Sequence, residues 1–209
     1  MSRLELAPGC LWWPGFLTRE RQEALLRDVE AVTLQAPLFT PRMPRSAQPL
    51  SVRITNCGPL GWVSDVDGYR YQGTHPETRQ TWPDMPPMLI DLWTRLAEYP
   101  LPPQACLINW YEPQARMGLH QDRDEQDLTA PVLSLSLGDT AVFRLAGTER
   151  RSPSRSIRLA SGDALLLSGP ARLAFHGIDR ILSGTSTLLD RPGRFNLTLR
   201  RVTRETGAA

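Results

Sequence analysis

The stretch LHQDRDEQD, residues 119–127, holds one of only three histidines in the chain, two positions before an aspartate. In a β-strand, side chains at positions i and i+2 lie on the same face, so His120 and Asp122 would direct an imidazole nitrogen and a carboxylate oxygen at one point. These two groups are half of a metal site. A His-x-Asp pair alone is more often a hydrogen-bonded surface pair, so the metal hypothesis needs a third ligand from elsewhere in the chain.

The only other histidines are His75 and His176. His176 lies in RLAFHG, within the half of the chain that is rich in strand patterns, whereas His75 lies in the loop-like GTHPE. His176 is therefore the better candidate. Two histidines and one carboxylate on one face of a metal leave open positions opposite, which is the arrangement of non-haem iron(II) oxygenases.

A second group of polar residues lies near the C-terminus, in the run RFNLTLR at residues 194–200. A strand over this run would have a polar face and an apolar face, formed by Arg194, Asn196, Thr198 and Arg200 and by Phe195, Leu197 and Leu199, respectively. Two guanidinium groups in a barrel interior would need anionic partners, because a buried unpaired charge loses its hydration without compensation. A dicarboxylate would supply that partner, and Arg194 could grip a carboxylate with two hydrogen bonds. An edge strand whose polar face meets water explains the same pattern.

Two amphipathic helices are predicted in the first half of the chain. The first covers residues 17–32, with Thr18 as a candidate N-cap and apolar residues at helical spacing. The second runs from about Pro87 to Tyr99, after a Pro-Pro pair. Between them lie the proline-rich residues 36–50 and the segment GWVSDVDGYRYQG, which have the composition of loops and short strands that carry recognition.

From Ala105 onward the pattern changes to short runs with a period of two, separated by Gly, Pro, Asp or Ser. The runs are ACLINWY, PVLSLSL, TAVFRLA, SIRLA, GDALLLSG, RLAFHG and RFNLTLRRV. Helices followed by a cluster of short strands indicate an α+β fold in which the strands close into a sandwich or a barrel-like jelly roll.

The composition is typical of a globular chain of one domain over residues 1–209, with 41% hydrophobic and 22% charged residues. No apolar run approaches the roughly 20 residues that a membrane helix requires, and the start MSRLELAPGC lacks the layout of a signal peptide. We therefore expect a cytoplasmic protein with no membrane partner. Three widely spaced cysteines, Cys10, Cys57 and Cys106, favour reduced structural thiols over a disulfide framework.

The net charge of +2 is far from a strong nucleic-acid signature. All 24 basic residues are arginine, so the choice of arginine over lysine is poor evidence for phosphate recognition. The distribution is more informative: from Arg144 to the C-terminus there are twelve arginines against five acids, which are Glu149, Asp163, Asp179, Asp190 and Glu205. A solvated face and a face that binds nucleic acid explain this excess equally well.

The order of NWY, LHQDRDE, FHG and RFNLTLR resembles the AlkB family of iron(II)- and 2-oxoglutarate-dependent dioxygenases, and in particular its bacterial branch. The similarity extends through CLINWYEPQARMGLHQDRDE and GWVSDVDGYRY, from the middle fifties to Val202. Members of that branch repair N-alkylated bases such as 1-methyladenine and 3-methylcytosine in DNA and RNA. The resemblance implies a double-stranded β-helix core in residues 105–209, preceded in residues 1–104 by N-terminal helices and a nucleotide-recognition lid.

The resemblance also implies roles for individual residues. Fe(II) would be bound by His120, Asp122 and His176, and the catalytic set would include these three and Arg200. The 2-oxoglutarate site would comprise Asn109, Tyr111, Arg194, Asn196 and Arg200, with Arg194 on the distal carboxylate. The alkylated nucleotide would be contacted by Trp62, Tyr69, Tyr71, Asp124 and Arg150. Without the resemblance, the aromatic residues are equally well explained by packing beneath a loop.

The reaction implied by the resemblance is oxidative demethylation of the base with Fe(II), dioxygen and 2-oxoglutarate, which releases formaldehyde, succinate and carbon dioxide. We expect a monomer that acts on single-stranded DNA, with duplex DNA and RNA as further substrates. Two other functions stay open at this point. One is hydroxylation of a tRNA modification or a protein side chain by the same core, and the other is metal-free binding of nucleic acid.

Overall fold

Two β-sheets, a separate β-hairpin and two α-helices make up residues 3–204, the part of the chain that the structure, a computed structural model, describes. The helices are α1 (Arg19–Gln35) and α2 (Pro87–Leu96). The strands of the first half are β1 (Leu4–Ala7), β2 (Cys10–Trp13), β3 (Arg53–Cys57), β4 (Gly61–Asp65) and β5 (Gly68–Gln72). The strands of the second half are β6 (Ala105–Tyr111), β7 (Met117–His120), β8 (Val132–Gly138), β9 (Thr140–Leu145), β10 (Arg155–Leu159), β11 (Ala164–Leu167), β12 (His176–Leu182) and β13 (Arg194–Arg200).

The two sheets pack face to face. The larger sheet has the strand order β1-β2-β11-β8-β13-β6-β3, and the smaller has the order β10-β9-β12-β7. Leu107 and Leu165 of the larger sheet meet Phe143 and Ile178 of the smaller sheet in one apolar cluster. Strands β6 to β13 therefore divide four and four between the sheets, so the predicted α+β fold with a double-stranded β-helix core is confirmed.

The helices cover the other face of the larger sheet. Leu25 of α1 and Leu92 of α2 belong to the same apolar cluster as Leu135 of β8 and Leu197 of β13. Because this sheet is covered on both faces, every residue of β6 and of β11 is buried. That double cover explains why ACLINWY, apart from Asn109, and ALLL are continuous apolar runs, without the predicted alternation of a strand that has one wet face.

Both predicted helices are present, with shifted ends. α1 begins directly after Thr18, whose hydroxyl accepts a hydrogen bond from the backbone N–H of Arg21 at 3.4 Å, so the predicted N-cap is confirmed. α2 ends at Leu96 and does not reach Tyr99. The reason is local, since Glu98 has a φ of +49°, a left-handed conformation that a continuing α-helix excludes.

Among residues 3–204, neither helix has the length and apolar character needed to cross a membrane.

The predicted recognition segments are loops and short strands, as expected. Residues 36–50 contain isolated β-bridges, among them one between Arg42 and Pro49, and no helix. In GWVSDVDGYRYQG, β4 and β5 form a two-stranded antiparallel hairpin with Trp62 opposite Tyr71.

Some strand boundaries differ from the predictions. The predicted strand RLAFHG is wrong, because residues 172–175 lie outside any strand and β12 begins at His176. β7 ends at His120, so Asp122 lies two residues beyond the strand and not on its face. β1 and β2 have no counterpart in the predicted elements; β2 is stabilised by pairing with β11, which follows it by about 150 residues and which no local pattern reveals.

Gly177 allows β7 and β12 to lie close together. A Cβ atom at this position would be 2.5 Å from the carbonyl oxygen of Met117 and 2.7 Å from that of Gly118, both in β7. These backbone carbonyl groups of a strand cannot move aside as the flexible end of a side chain can. The contact between the strand that carries His120 and the strand that begins at His176 therefore requires glycine.

We predict that Gly177→Ala lowers the free energy of unfolding by about 1–3 kcal/mol, because the added methyl group pushes β7 away from β12. It should also weaken Fe(II) binding, since the two histidines move apart. Gly118→Ala is the matched control, because a Cβ there meets nothing within 4 Å. Urea unfolding and anaerobic Fe(II) titration test both variants. Equal behaviour of the two would contradict this role for Gly177.

Candidate metal centre and dicarboxylate pocket

His120, Asp122 and His176 converge at the end of β7 and the beginning of β12. His120 and His176 are directly paired across the two strands, with ring centroids 4.5 Å apart. One donor atom from each of the three residues lies within 4.8 Å of the others. The Nε2 atoms of His120 and His176 are each 3.8 Å from an oxygen of Asp122. The structure thus brings together the three residues that the sequence predicted as metal ligands.

The two imidazole rings are oriented by backbone carbonyl groups. Nδ1 of His120 is 3.0 Å from the carbonyl oxygen of Gly118, and Nδ1 of His176 is 2.9 Å from that of Ala174. Each ring therefore turns Nε2 toward Asp122, and hydrogen bonding at the other nitrogen selects the tautomer suited to metal binding. Burial, together with the neighbouring His120, lowers the pKa of His176 to about 4, so the ring is neutral at neutral pH.

His75, the alternative third ligand, is used elsewhere. It is fully buried, and its Nε2 is 2.8 Å from the carbonyl oxygen of Pro37. Its Nδ1 accepts hydrogen bonds from the backbone N–H groups of Glu77 and Thr78. Both ring nitrogens are therefore occupied in fixing a loop, which agrees with the choice of His176.

Asp122 is held by a buried ion pair. Arg200, the last residue of β13, donates from Nη2 to Oδ1 of Asp122 at 2.8 Å and from Nε to Oδ2 at 3.3 Å. Burial alone would raise the pKa of Asp122, but Arg200 and the two nearby histidines hold it below its usual range. The carboxylate is therefore ionised, as a metal ligand must be.

Behind this pair, Arg172 fixes the loop that carries Asp122. Arg172 is 3% exposed, and it donates to the carbonyl oxygens of Asp122 and Ala130, both at 2.6 Å. Its Nη2 also donates to Oε2 of Glu125 at 3.1 Å, while Oε1 of Glu125 is 3.4 Å from Nε of Arg200. Two carboxylates and two guanidinium groups thus form a neutral buried cluster. Sequence patterns gave no signal for Arg172, because its partners lie about 40 to 50 residues away in the chain.

Arg194, at the start of β13, is also buried, but unlike Arg172 and Arg200 it forms no ion pair with a carboxylate of the described residues. It is fully buried, and it donates to the carbonyl oxygens of Asp139 and Leu159 and to the hydroxyl of Ser136. Its Nε has no partner, and among residues 3–204 no carboxylate lies within 4.0 Å of its guanidinium. Burial lowers the pKa of Arg194 to about 10, which still leaves it charged at neutral pH.

The polar face of β13 is continued by the neighbouring strand β6. Arg194 is paired with Tyr111, and Asn196 is paired with Asn109. Within residues 3–204, Oδ1 of Asn109 is buried and has no hydrogen-bond partner. Among the described residues, the hydroxyl of Tyr111 has one hydrogen-bond partner, the thioether of Met117 at 3.7 Å, and burial raises the pKa of Tyr111, so it stays protonated. A weakly bonded hydroxyl and an unused acceptor therefore lie on the same polar surface as the unpaired guanidinium.

One cavity of about 580 Å³ connects these groups. Most of the predicted site residues line it: His120, Asp122, His176, Asn109, Tyr111, Arg194, Asn196, Arg200, Trp62, Tyr69, Asp124 and Arg150. Tyr71 does not belong to this lining. Its hydroxyl donates to Oε1 of Glu125, so it joins the buried cluster behind Asp122.

Aromatic residues and an acid line the cavity on the side of β4 and β5. Trp62 of β4 and Tyr69 of β5 stack on each other, with centroids 5.6 Å apart and an interplanar angle of 19°. The indole N–H of Trp62 donates to Oδ2 of Asp124 at 2.9 Å. Tyr69 is 46% exposed and Arg150 is exposed, so these side chains are accessible from outside.

Comparison with known proteins agrees with this geometry. A family model described as the 2OG-Fe(II) oxygenase superfamily matches residues 9–200. Fold, donor set and family together define the protein as an Fe(II)- and 2-oxoglutarate-dependent dioxygenase. An alpha-ketoglutarate-dependent dioxygenase AlkB homolog of Caulobacter vibrioides is 57% identical over 198 residues, which are 95% of this chain and 90% of the relative. The alpha-ketoglutarate-dependent dioxygenase AlkB of Escherichia coli is 41% identical over 184 residues, 86% of this chain and 84% of the relative.

The chain belongs to the AlkB family. The solved structure of OsALKBH1 is similar to it with a TM-score of 0.85 at 29% sequence identity, covering 96% of this chain and 100% of that one. The family match begins at residue 9, so the similarity extends further toward the N-terminus than the middle fifties, where the sequence motifs placed its limit. β2, which was not predicted, lies within this added region.

We predict that Arg172→Met lowers the free energy of unfolding by about 3–5 kcal/mol, because it leaves a net negative charge in the buried cluster. The double variant Arg172→Met/Glu125→Gln should recover part of that loss, since it restores neutrality. Urea unfolding of the two single variants and the double variant gives the coupling energy. Additive losses would show that Arg172 and Glu125 do not stabilise each other.

Proposed function

We propose that the protein oxidatively removes alkyl groups from N-alkylated bases of nucleic acids, such as 1-methyladenine and 3-methylcytosine. The observation that carries this proposal is that a single cavity contains the His-Asp-His donor set, an unpaired buried arginine and, at its lid, stacked aromatic rings. Relatives that match parts of the chain have names that describe demethylation of nucleic acids, among them the DNA N(6)-methyladenine demethylase ALKBH1C of Arabidopsis thaliana and the tRNA demethylase abh1 of Schizosaccharomyces pombe.

The three donors suit Fe(II). A set of two neutral imidazoles and one carboxylate that leaves open positions is characteristic of non-haem iron oxygenases. We propose that His120, Asp122 and His176 hold the iron, with Arg200 keeping the Asp122 carboxylate in place and ionised. When bound, iron with 2-oxoglutarate and dioxygen supplies the oxidising power to hydroxylate the N-alkyl group, and the hydroxymethyl product then loses formaldehyde.

The 2-oxoglutarate site is proposed at the floor of the cavity. The fully buried, unpaired charge of Arg194 needs an anion, and the distal carboxylate of the cosubstrate supplies it. Tyr111 can donate its hydroxyl proton, and the amides of Asn109 and Asn196 lie on the same polar surface. Arg200 lines the same cavity, and the structure commits its Nε and Nη2 to Asp122. We therefore propose that Arg200 serves the site mainly by orienting that carboxylate.

On the lid side, the proposed contacts are to the alkylated base and its phosphate. Trp62 and Tyr69 offer flat apolar faces for stacking, and Asp124 can accept a hydrogen bond from an exocyclic amine. Arg150 at the cavity wall can pair with a phosphate. Tyr71, which we had predicted as a substrate contact, is proposed to act indirectly, through Glu125 and the buried cluster that positions Asp122.

The preferred form of nucleic acid, the oligomeric state and the location of the protein are also proposals. We propose single-stranded DNA as the preferred substrate, because its bases can enter the cavity without first leaving a duplex. Alkylation lowers the energy needed to unpair and unstack a base in a duplex but does not remove it. Duplex DNA and RNA remain further proposed substrates. A monomer in the cytoplasm is proposed as well, and the three buried cysteines, which are free thiols in the structure, are compatible with a reducing compartment.

The direct test of the proposed function is incubation with Fe(II), ascorbate, 2-oxoglutarate and an oligonucleotide that contains 1-methyladenine, followed by mass spectrometry. Loss of the methyl group with equal formation of succinate and formaldehyde is the expected result. Succinate formation without methyl loss, across a panel of methylated DNA and RNA oligonucleotides, would contradict the proposal. That result would favour hydroxylation of a tRNA modification or a protein side chain.

We predict that Asp122→Ala abolishes this turnover, because it removes the anionic metal ligand. The change also leaves the buried Arg200 without its main ion-pair partner, so we expect the free energy of unfolding to fall by about 3–5 kcal/mol as well. Circular dichroism and the turnover assay measure the two effects separately. Full activity of this variant would contradict the proposed metal site.

We predict that Arg194→Ala raises the KM for 2-oxoglutarate at least about 30-fold, because truncation of one partner of a buried charge pair costs about 2–5 kcal/mol. Arg191→Ala is the matched control, since it removes the same charge from an exposed arginine outside the cavity lining. Steady-state kinetics with varied 2-oxoglutarate is the measurement. An unchanged KM would remove Arg194 from the cosubstrate site.

A further inference from the structure

The twelve arginines of the C-terminal segment fall into three groups: the interior, positions in contact with Trp110 or backbone carbonyl groups, and one outer wall. Arg172, Arg194 and Arg200 are buried, and Arg191, Arg201 and Arg204 contact Trp110 and backbone carbonyl groups. The other six lie on β9, β10, β12 and the loop between β9 and β10: Arg144, Arg150, Arg151, Arg155, Arg158 and Arg180. The acids in the same strands and loop are Glu149 and Asp179. Half of the twelve arginines thus lie on the smaller sheet and its loop.

Strand register places three of these arginines on the outward face of that sheet. Phe143 of β9 points inward to the core between the sheets, as does Ile178 of β12, which pairs with it. Alternation along the strands then directs Val142 and Arg144 outward. Val142 is paired with Arg158 of β10 on one side and with Arg180 of β12 on the other. Arg144, Arg158 and Arg180 therefore surround Val142 on three adjacent strands.

These cations lack strong acidic partners. Within residues 3–204, no carboxylate lies within 4.0 Å of Arg144 or Arg158, and Arg180 has only Asp179 at 3.8 Å. Arg158 and Arg180 are separated by two strand spacings, about 10 Å between backbones, close to one Debye length at physiological salt. Like charges at this separation repel each other, and nearby anions would remove the repulsion.

The loop between β9 and β10 connects this outward face to the cavity. Arg150 in that loop lines the cavity, and Arg151 follows it. Arg144 lies one residue before Leu145, which pairs with His176 at the metal centre. Arg158 and Arg180 lie about 7 Å further along the strands. Positive charge therefore continues from the cavity wall down the outside of the smaller sheet.

We propose that this arginine face, formed by Arg144, Arg150, Arg151, Arg158 and Arg180, binds the phosphodiester backbone of the strand whose alkylated base occupies the cavity. This inference rests on the proposed function and extends it, because it assigns the flanking nucleotides to a surface outside the cavity. Every basic residue of the chain is arginine, so the presence of arginine in place of lysine on this face does not support the proposal. The common face of these arginines, the scarcity of acidic partners and the continuity with the cavity wall support the proposal.

The test is the salt dependence of binding to a fluorescent single-stranded DNA oligonucleotide with one 1-methyladenine, measured by anisotropy between about 50 and 200 mM salt. Binding is measured without 2-oxoglutarate, so no turnover occurs. The variant Arg158→Gln/Arg180→Gln is compared with Arg27→Gln/Arg95→Gln. The second pair removes the same charge from α1 and α2, which cover the opposite side of the larger sheet.

For Arg158→Gln/Arg180→Gln, the slope of log K against log salt should become shallower by about 1.4, or about 0.7 for each lost phosphate contact. That change corresponds to binding about 25-fold weaker at 0.1 M salt. The control should keep the wild-type slope. Unchanged slopes, equal changes in both double variants, or no binding by the wild-type protein would overturn the proposal.

Failure of the proposed function would give a different result. In that case the wild-type protein would bind the oligonucleotide with the predicted salt dependence and would leave its methyl group in place on addition of Fe(II) and 2-oxoglutarate. Conversely, demethylation by the wild-type protein together with unchanged slopes would reject only the arginine face.

Discussion

A fully buried guanidinium without a carboxylate partner is the constraint on which the rest of the site depends. Arg194 has three hydrogen-bond acceptors from the protein, but its charge is not compensated by any carboxylate within 4.0 Å in residues 3–204. A chain selected for stability alone would pair or remove such a charge. We propose that a ligand with its own negative charge, the dicarboxylate 2-oxoglutarate, compensates this charge at the floor of the cavity.

At the metal centre the buried charge is an anion, the carboxylate of Asp122. Asp122 must remain ionised while buried, and Arg200 secures this with two hydrogen bonds. Arg172 and Glu125 then balance the charge and fix the loop behind it. Because β13 carries both Arg194 and Arg200, one strand sets the distance between the floor of the cavity and the metal ligands. The larger sheet that holds this strand is packed on both faces.

The sequence predicted most of the core site because its signals are local. His120 and Asp122 are close in sequence, and the alternation in RFNLTLR places Arg194 and Arg200 on one face in the prediction and in the structure. The features that it missed depend on distant partners. β2 is stabilised by β11, the start of β12 is set by its pairing with β7 at His176, and Arg172 acquires its role only when residues 122–130 fold over it. Tyr71 likewise follows the alternation of a hairpin strand, yet the fold directs its hydroxyl to Glu125.

The most direct test of the central claim is anaerobic titration of the Fe(II)-loaded protein with 2-oxoglutarate, followed by visible absorption. The three donors and Arg194 together predict a charge-transfer band that grows and saturates, and whose midpoint shifts to much higher 2-oxoglutarate concentration in Arg194→Ala. Absence of the band in the wild-type protein, or an identical midpoint in the variant, would contradict a site in which the buried arginine and the iron ligands bind one cosubstrate.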